Sequence, residues 1–274
     1  MTISPVICEV RCCQALNKTG ISSFKYCLNP YTGCQHACLY CYATFMKKYS
    51  GHTEEWGQFV DVKTNFNQVL AKDVWKHQPG PVVVGSVCDP YQPIEAQYRL
   101  TRVALEILAE RRFPFQILTK SSLVTRDMDI LRRYPGSSVS MTITTFNEDV
   151  RGLLEPHASP ASKRVAAVWE LTHAGVMTSV FFGPLLPYFS DTTERLREFF
   201  QVLRKVGVKH VLVDKLNYLN AKMPVLQPVL KKHFPEALPA FEAALRNPAA
   251  YALNLRQTVC AVALDFDLEV ELVF

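Results

Sequence analysis

At 274 residues the chain is long enough to bury the core of one large α/β domain or two small ones. It is 49% hydrophobic and 20% charged, and its net charge of +5 is spread over both halves, which excludes a basic tail and permits a polyanionic substrate without requiring one. The opening MTISPVICEVRCC has no apolar core of signal-peptide length, and no apolar run approaches the ~18 residues of a membrane span, so a cytoplasmic protein with no membrane partner is expected.

In chain order, residues 1–23 read as an N-terminal extension. Strand-like runs follow at 24–29, 81–87, 114–120, 137–144, 176–182 and 208–214. Amphipathic stretches near 66–77, 95–111, 126–133, 160–174 and 191–206 lie between them, the alternation expected of parallel βα units. FVDVK at 59–63 is an extra extended piece before the first long helix. Six units are too few for a closed eight-stranded barrel. They suit an open, partial (β/α)6 barrel over residues 24–215, with function at the carboxyl ends of its strands. Residues 216–274 read as a C-terminal helical and β extension packing on the barrel. Helical material over 224–256, interrupted by Pro228, Pro235, Pro239 and Pro248, leads into VCAVALDFDLEVELVF. The alternation of that tail predicts a terminal strand or hairpin closing one barrel edge.

Nine cysteines without a secretory signal point to reduced thiols and metal ligation, not to a disulfide frame. Three of them, Cys34, Cys38 and Cys41, form C-x3-C-x2-C inside NPYTGCQHACLYCYA, directly after the first barrel strand. Thiolates are the usual protein ligands of iron–sulfur clusters, and three on one short loop reach three corners of a single cube. Gly33 lets the backbone turn there without a Cβ clash. The fourth iron is left free for a small chelating molecule. Structural zinc is the competing use of such spacing, with His36 or Cys27 available as a fourth ligand. Placement at the end of the first strand of a six-unit βα chain favours the cluster, and His36 then reads as a loop residue. Cys8, Cys12, Cys13, Cys27 and Cys260 belong to no motif and read as buried or incidental.

C-x3-C-x2-C followed by an aromatic residue, opening a partial barrel, resembles the radical S-adenosylmethionine (SAM) superfamily. The blocks NPYTGCQHACLYCYA, GSVCDPYQPIEAQYRLTR, ILTKSSLVTRD and LLEPHASPASKR are similar to the spore photoproduct lyase-like group, whose members are often labelled DNA repair photolyases. The likeness runs from about residue 15 to about residue 190. It implies a [4Fe–4S] cluster on Cys34, Cys38 and Cys41 that passes an electron to SAM, giving methionine and a 5′-deoxyadenosyl radical. It also implies a reductant such as flavodoxin or ferredoxin. The oligomeric state is left open.

The same resemblance assigns further residues. Asp89, at the end of the second strand, would hold the SAM amino group; the bland alternative is an Asp that starts an Asp-Pro turn. Lys120, in ILTK, would meet the SAM carboxylate, a task that suits an ammonium, unless it is a solvated strand-end lysine. Thr142 matches a family serine position. Cys88 falls where spore photoproduct lyase has the cysteine that donates a hydrogen atom to the product radical, against the common fate of a small buried thiol. Tyr40 and Tyr42 match tyrosines of a proposed radical relay, against simple packing on the cluster. Pro90 stands where that lyase has a SAM-contacting serine.

Three functions follow from this reading. The first is a radical SAM enzyme acting on nucleic acid, in a lyase or repair-like reaction on a pyrimidine lesion. It draws on Cys88 and on the basic segment 99–133, which includes Arg99, Arg102, Arg111, Arg112, Arg126, Arg132 and Arg133; spaced charges of this kind also form ordinary solvated faces. The second keeps the chemistry and takes a modified RNA base, a peptide or a small metabolite. The third is a non-catalytic iron–sulfur or zinc module that binds nucleic acid and needs no SAM.

Overall fold

Short apolar runs such as Val82–Val84, buried on both faces, become the central strands of a parallel sheet whose faces are covered. The computed structural model describes residues 5–274; residues 1–4, the start of the expected N-terminal extension, lie outside the described residues. The elements begin with β1 (Val6–Val10), β2 (Leu16–Lys18), β3 (Tyr26–Leu28), β4 (Tyr31–Thr32), a 3-10 helix at Tyr42–Tyr49, β5 (Phe59–Lys63) and α1 (Phe66–Lys76). There follow β6 (Val82–Val84), α2 (Glu95–Tyr98), α3 (Leu100–Glu110), β7 (Phe115–Thr119), α4 (Met128–Arg133), β8 (Ser137–Ile143), α5 (Glu148–Leu154) and α6 (Ala161–His173). The chain ends with β9 (Met177–Leu185), α7 (Thr193–Lys205), β10 (His210–Lys215), α8 (Leu219–His233), α9 (Leu238–Arg246), α10 (Pro248–Ala263) and β11 (Glu269–Leu272).

An eight-stranded sheet runs β2-β3-β6-β7-β8-β9-β10-β11. All its neighbours are parallel except β2, which pairs antiparallel with β3 at one edge. The six strands from β3 to β10 are those expected of the partial (β/α)6 barrel, and the helices between them fall where the amphipathic pattern puts them, except that α5 is an additional helix before α6. Register aligns Leu28, Val84, Ile117 and Val139 in one row, all fully buried. Helix α7 shows how the cover is built. Leu196, Phe199, Phe200 and Leu203 recur at helical spacing and face inward, each contributing about 1.5–3 kcal/mol by burial. Among the described residues no helix is long and apolar enough to cross a membrane.

FVDVK forms β5, the middle strand of a small second sheet ordered β1-β5-β4. Two expectations for the C-terminal extension change. Pro228 does not interrupt α8, which contains both Pro224 and Pro228. Each proline removes one helical hydrogen bond, and burial of Met223, Leu226 and Leu230 against Phe241, Tyr40 and Cys38 offsets the loss. The alternating tail is a strand only at its end. VCAVA completes α10, where Leu255, Val259 and Val262 are buried at i, i+4, i+7, and Glu269–Leu272 then pairs with β10 at the sheet edge.

Candidate active site

At the carboxyl ends of the parallel strands the loops enclose a cavity of about 200 Å³. It brings together all nine residues singled out in the sequence: Cys34, Cys38, Cys41, Tyr40, Tyr42, Cys88, Asp89, Lys120 and Thr142. The loop carrying the three cysteines starts at Gly33, whose φ of +85 and tight approach to the Phe59 carbonyl both exclude a side chain. Two turns then space the thiols, with Ala37 N–H donating to the Cys34 carbonyl at 3.2 Å and Cys41 N–H to that of Cys38 at 3.1 Å.

Burial pushes all three thiols above the ordinary range, Cys38 to about 12 even with Lys120 opposing the shift. Only a strong cation would hold them as thiolates. Their sulfurs do not all lie within 4.8 Å of one another. A zinc tetrahedron with 2.3 Å bonds needs edges of about 3.8 Å, so the spread suits separate irons of one cube better than one shared ion. Trp56 lines the cavity with its buried indole N–H directed at the Cys41 sulfur, whose thiolate form it favours. A buried N–H donor at this point suits a ligating thiolate or a sulfide. The residues fit a [4Fe–4S] cluster.

Asp89 is the most constrained of the other residues. Its carboxylate accepts from Thr119 Oγ1 at 2.7 Å, Tyr91 N–H at 2.9 Å and Lys120 N–H at 2.7 Å, with His36 Nδ1 at 3.3 Å. Burial pushes this group up, but His36 and these donors outweigh it and hold it at about 2. The contact with Tyr91 is the Asp-Pro turn of the bland alternative, and the oxygens expected to face a SAM amino group are already engaged. Lys120 is the opposite case. Burial lowers it, Cys38 and Glu155 raise it further, and the ammonium form is favoured. Its Nζ has no hydrogen-bond or salt-bridge partner among the described residues and lies 5.8 Å from the Tyr40 ring centre. Thr142 lines the cavity while its carbonyl accepts from Arg164 Nη1 at 3.1 Å.

Cys88 is 6% exposed, 3.7 Å from Asn29 Oδ1, and burial pushes it up to about 12, so it carries its hydrogen at neutral pH. Tyr42 is 52% exposed at the cavity and donates to the Ser86 carbonyl. Tyr40 is buried and donates to Glu155. Glu155 also accepts from Thr144 Oγ1 at 2.8 Å and from Arg164, which burial disfavours and Glu155 stabilises. Sequence reasoning missed this buried Glu155–Arg164 pair, although both residues stand in LLEPHASPASKR. Their signal was a charged residue at an otherwise core position. It also missed His36 as a partner of Asp89, and the sixth-strand end, where Asp214, Lys215 and Asn217 line the cavity.

The basic segment 99–133 is only partly engaged, since Arg99, Arg112, Arg132 and Arg133 are exposed with no ion-pair partner among the described residues. Arg102 pairs with Asp127 and Asp129, Arg126 with Glu95 and Asp127, Arg111 covers the Trp75 ring at 3.3 Å, and Lys120 points into the cavity. Exposed aromatic and basic side chains lie together on the 3-10 helix after Cys41. Tyr42, Phe45 and Tyr49 are exposed there beside Lys47 and Lys48.

The radical SAM superfamily model matches residues 28–213, the span of the six barrel strands. The chain belongs to this superfamily. Members use a [4Fe–4S] cluster and SAM, and those are the cofactors of this radical SAM protein. It is 36% identical over 185 residues to an uncharacterised protein of Methanocaldococcus jannaschii, covering 68% of this chain and 70% of that one. A radical SAM Nα-GlyT isomerase of Pseudomonas phage M6 is 27% identical over 216 residues, 77% of this chain and 44% of the phage protein. The fold is that of spore photoproduct lyase. The complex of that enzyme with dinucleoside spore photoproduct superposes with a TM-score of 0.71 at 15% identity, over 98% of this chain and 82% of the lyase. A variant of the same lyase carrying AdoMet and the dinucleoside gives 0.70 over 98% and 81%, also at 15% identity.

Proposed function

We propose that this radical SAM enzyme acts on a pyrimidine lesion in nucleic acid by a spore photoproduct lyase-like reaction. The observation that carries the reading is Cys88, a protonated thiol on the wall of the cavity that holds Cys34, Cys38 and Cys41. Those three thiols hold the cluster, and the Lys120 ammonium binds the SAM carboxylate as its missing partner. Bound there, the cluster and SAM supply a 5′-deoxyadenosyl radical for hydrogen abstraction from carbon. Asp89 positions the site, tying His36 of the cluster loop to the end of β7. Burial around Tyr40, Cys88 and Thr142 excludes water from the reacting atoms. Cys88 returns a hydrogen atom to the substrate radical and is left as a thiyl radical, which one electron from the reductant and one proton restore to the thiol.

A nucleic-acid substrate is supported by Tyr42, exposed at the cavity, and by Phe45, Lys48 and Tyr49, exposed further along the same 3-10 helix, because flat rings stack on bases and ammonium groups follow phosphates. It is also supported by the dinucleoside held in the matching fold of spore photoproduct lyase. The test offers cluster-loaded protein, SAM and a reductant to three kinds of substrate: dinucleoside spore photoproduct, modified RNA nucleosides, and a peptide. Loss of the dinucleoside, read by mass spectrometry, is expected. SAM cleavage with the dinucleoside intact and another class altered sinks the repair reading and leaves the superfamily assignment standing.

A further inference from the structure

The small sheet carries a second group of metal-ligating side chains. Parallel pairing sets Cys8 of β1 beside Asp61 of β5, so both leave the sheet on one face. The loop before β5 lays His52 over them, its ring stacked on Phe59 at 4.3 Å and 21°. One ligand atom from each of Cys8, His52 and Asp61 lies within 4.8 Å of the other two. The His52 and Asp61 side chains are each only 9% exposed. Asp61 Oδ1 stands 2.8 Å from His52 Nε2, and Glu54 Oε2 stands 3.1 Å from Nδ1.

A neutral imidazole has one N–H. Donated to Glu54 from Nδ1, it leaves the Nε2 lone pair against a carboxylate oxygen, and two acceptors in contact require a cation between them. A second ring proton, which burial opposes and Asp61 and Glu54 together favour, would also satisfy that pair but leave the thiol beside it unused. A metal ion uses all three ligands, with Glu54 as the outer carboxylate that orients a ligating histidine.

We propose that Cys8, His52 and Asp61 form a zinc-binding site separate from the cluster cavity. One sulfur, one nitrogen and one oxygen suit a borderline-soft ion, and the fourth position stays open to solvent. The His52–Asp61 separation of 2.8 Å opens by about half an ångström to reach the ~3.3 Å edge of a tetrahedron with bonds of 2.0–2.1 Å. The ion ties β1, β5 and the intervening loop together. That loop also brings Trp56 to the cavity and Gly57 against Ala37 of the cysteine loop, where a Cβ would collide. The zinc thus braces the outer side of the cluster loop.

The test uses the full chain with its cluster, exposed to Zn2+ and desalted, with zinc and iron measured separately by mass spectrometry. One zinc per chain is expected, retained in Cys34→Ala and lost in Cys8→Ser and His52→Ala. Glu54→Gln should weaken zinc binding roughly tenfold to a hundredfold. Co2+ in place of zinc gives a readout on the unmutated chain: a thiolate-to-cobalt charge-transfer band, absent from the spectrum of folded Cys8→Ser. Zinc at well below one per chain overturns the proposal. So does equal zinc in the wild type and in His52→Ala, or a zinc-treated chain whose His52 ring shows both nitrogens protonated by NMR.

Discussion

Lys120 carries a positive charge that the described protein leaves unpaired at the wall of the cofactor cavity. Lys120→Ala should therefore weaken SAM binding while iron content stays constant, because a ligand contact is lost and no cluster ligand. A charged hydrogen bond contributes ~1.5–3 kcal/mol, so calorimetry should show a loss of roughly tenfold to a hundredfold; unchanged affinity would place the lysine outside the SAM site. Asp89 has the complementary role of fixing the loops. Its folded-state pKa of about 2 lies below the ordinary carboxylate value of about 3.9. The carboxylate stabilises the fold above pH ~4, and that stabilisation is lost as pH falls through about 2, amounting to ~2–3 kcal/mol. Urea unfolding between pH 5 and 2 should show this acid limb in the wild type and a flatter one in Asp89→Asn. The motif cysteines stood out in the sequence by their spacing, and Cys88 and Lys120 as strand-end residues that the family resemblance picked out; all five line one cavity. The engagement of Asp89 by His36 did not stand out, since it depends on two loops meeting in space.

At the scale of elements, the cysteine loop is held from behind by α8 and α9 and by the buried triad of Tyr40, Glu155 and Arg164. Arg164 is 1% exposed and also donates to the Ser159 and Thr142 carbonyls, joining the start of α6 to the end of β8. Arg164→Met should cost ~3–5 kcal/mol in urea unfolding, because it strands the Glu155 charge, and adding Glu155→Gln should recover part of the loss. A cost below about 1 kcal/mol would mean that the pair is not buried as described. The exposed 3-10 helix from Tyr42 to Tyr49 gives a binding prediction. Tyr49→Ala removes a ring that is 67% exposed and should weaken binding of a short single strand by the ~1–3 kcal/mol of one stacked base. Fluorescence anisotropy that finds no change excludes this helix as a base platform. Neither feature was read from the sequence. The ion pair showed only as an arginine at an inward position of α6, and of the arginines counted in 99–133 only Arg102 and Arg126 have their charges met by Asp127, Asp129 and Glu95.

For the whole molecule, the βα alternation was legible because β-branched runs and helical periodicity are local properties. The second sheet was half legible. FVDVK announced β5, whereas β1 emerges only through pairing with it, a contact between distant residues. The C-terminal extension misled for a related reason: the buried positions of α10 sit within an alternating string that reads equally as a strand. What unites the molecule is one cavity where six strand ends deliver the three thiols of the cysteine motif, an ammonium unpaired among the described residues and a fourth, protonated thiol. The role of that fourth thiol can be read directly in heavy water, with cluster-loaded protein, SAM, a reductant and dinucleoside spore photoproduct, and products analysed by mass spectrometry. The wild type should give a repaired dinucleoside carrying solvent deuterium delivered from Cys88, and Cys88→Ala should consume the substrate yet yield an altered product. A repaired product without solvent deuterium, or the same labelled product from both proteins, would contradict it.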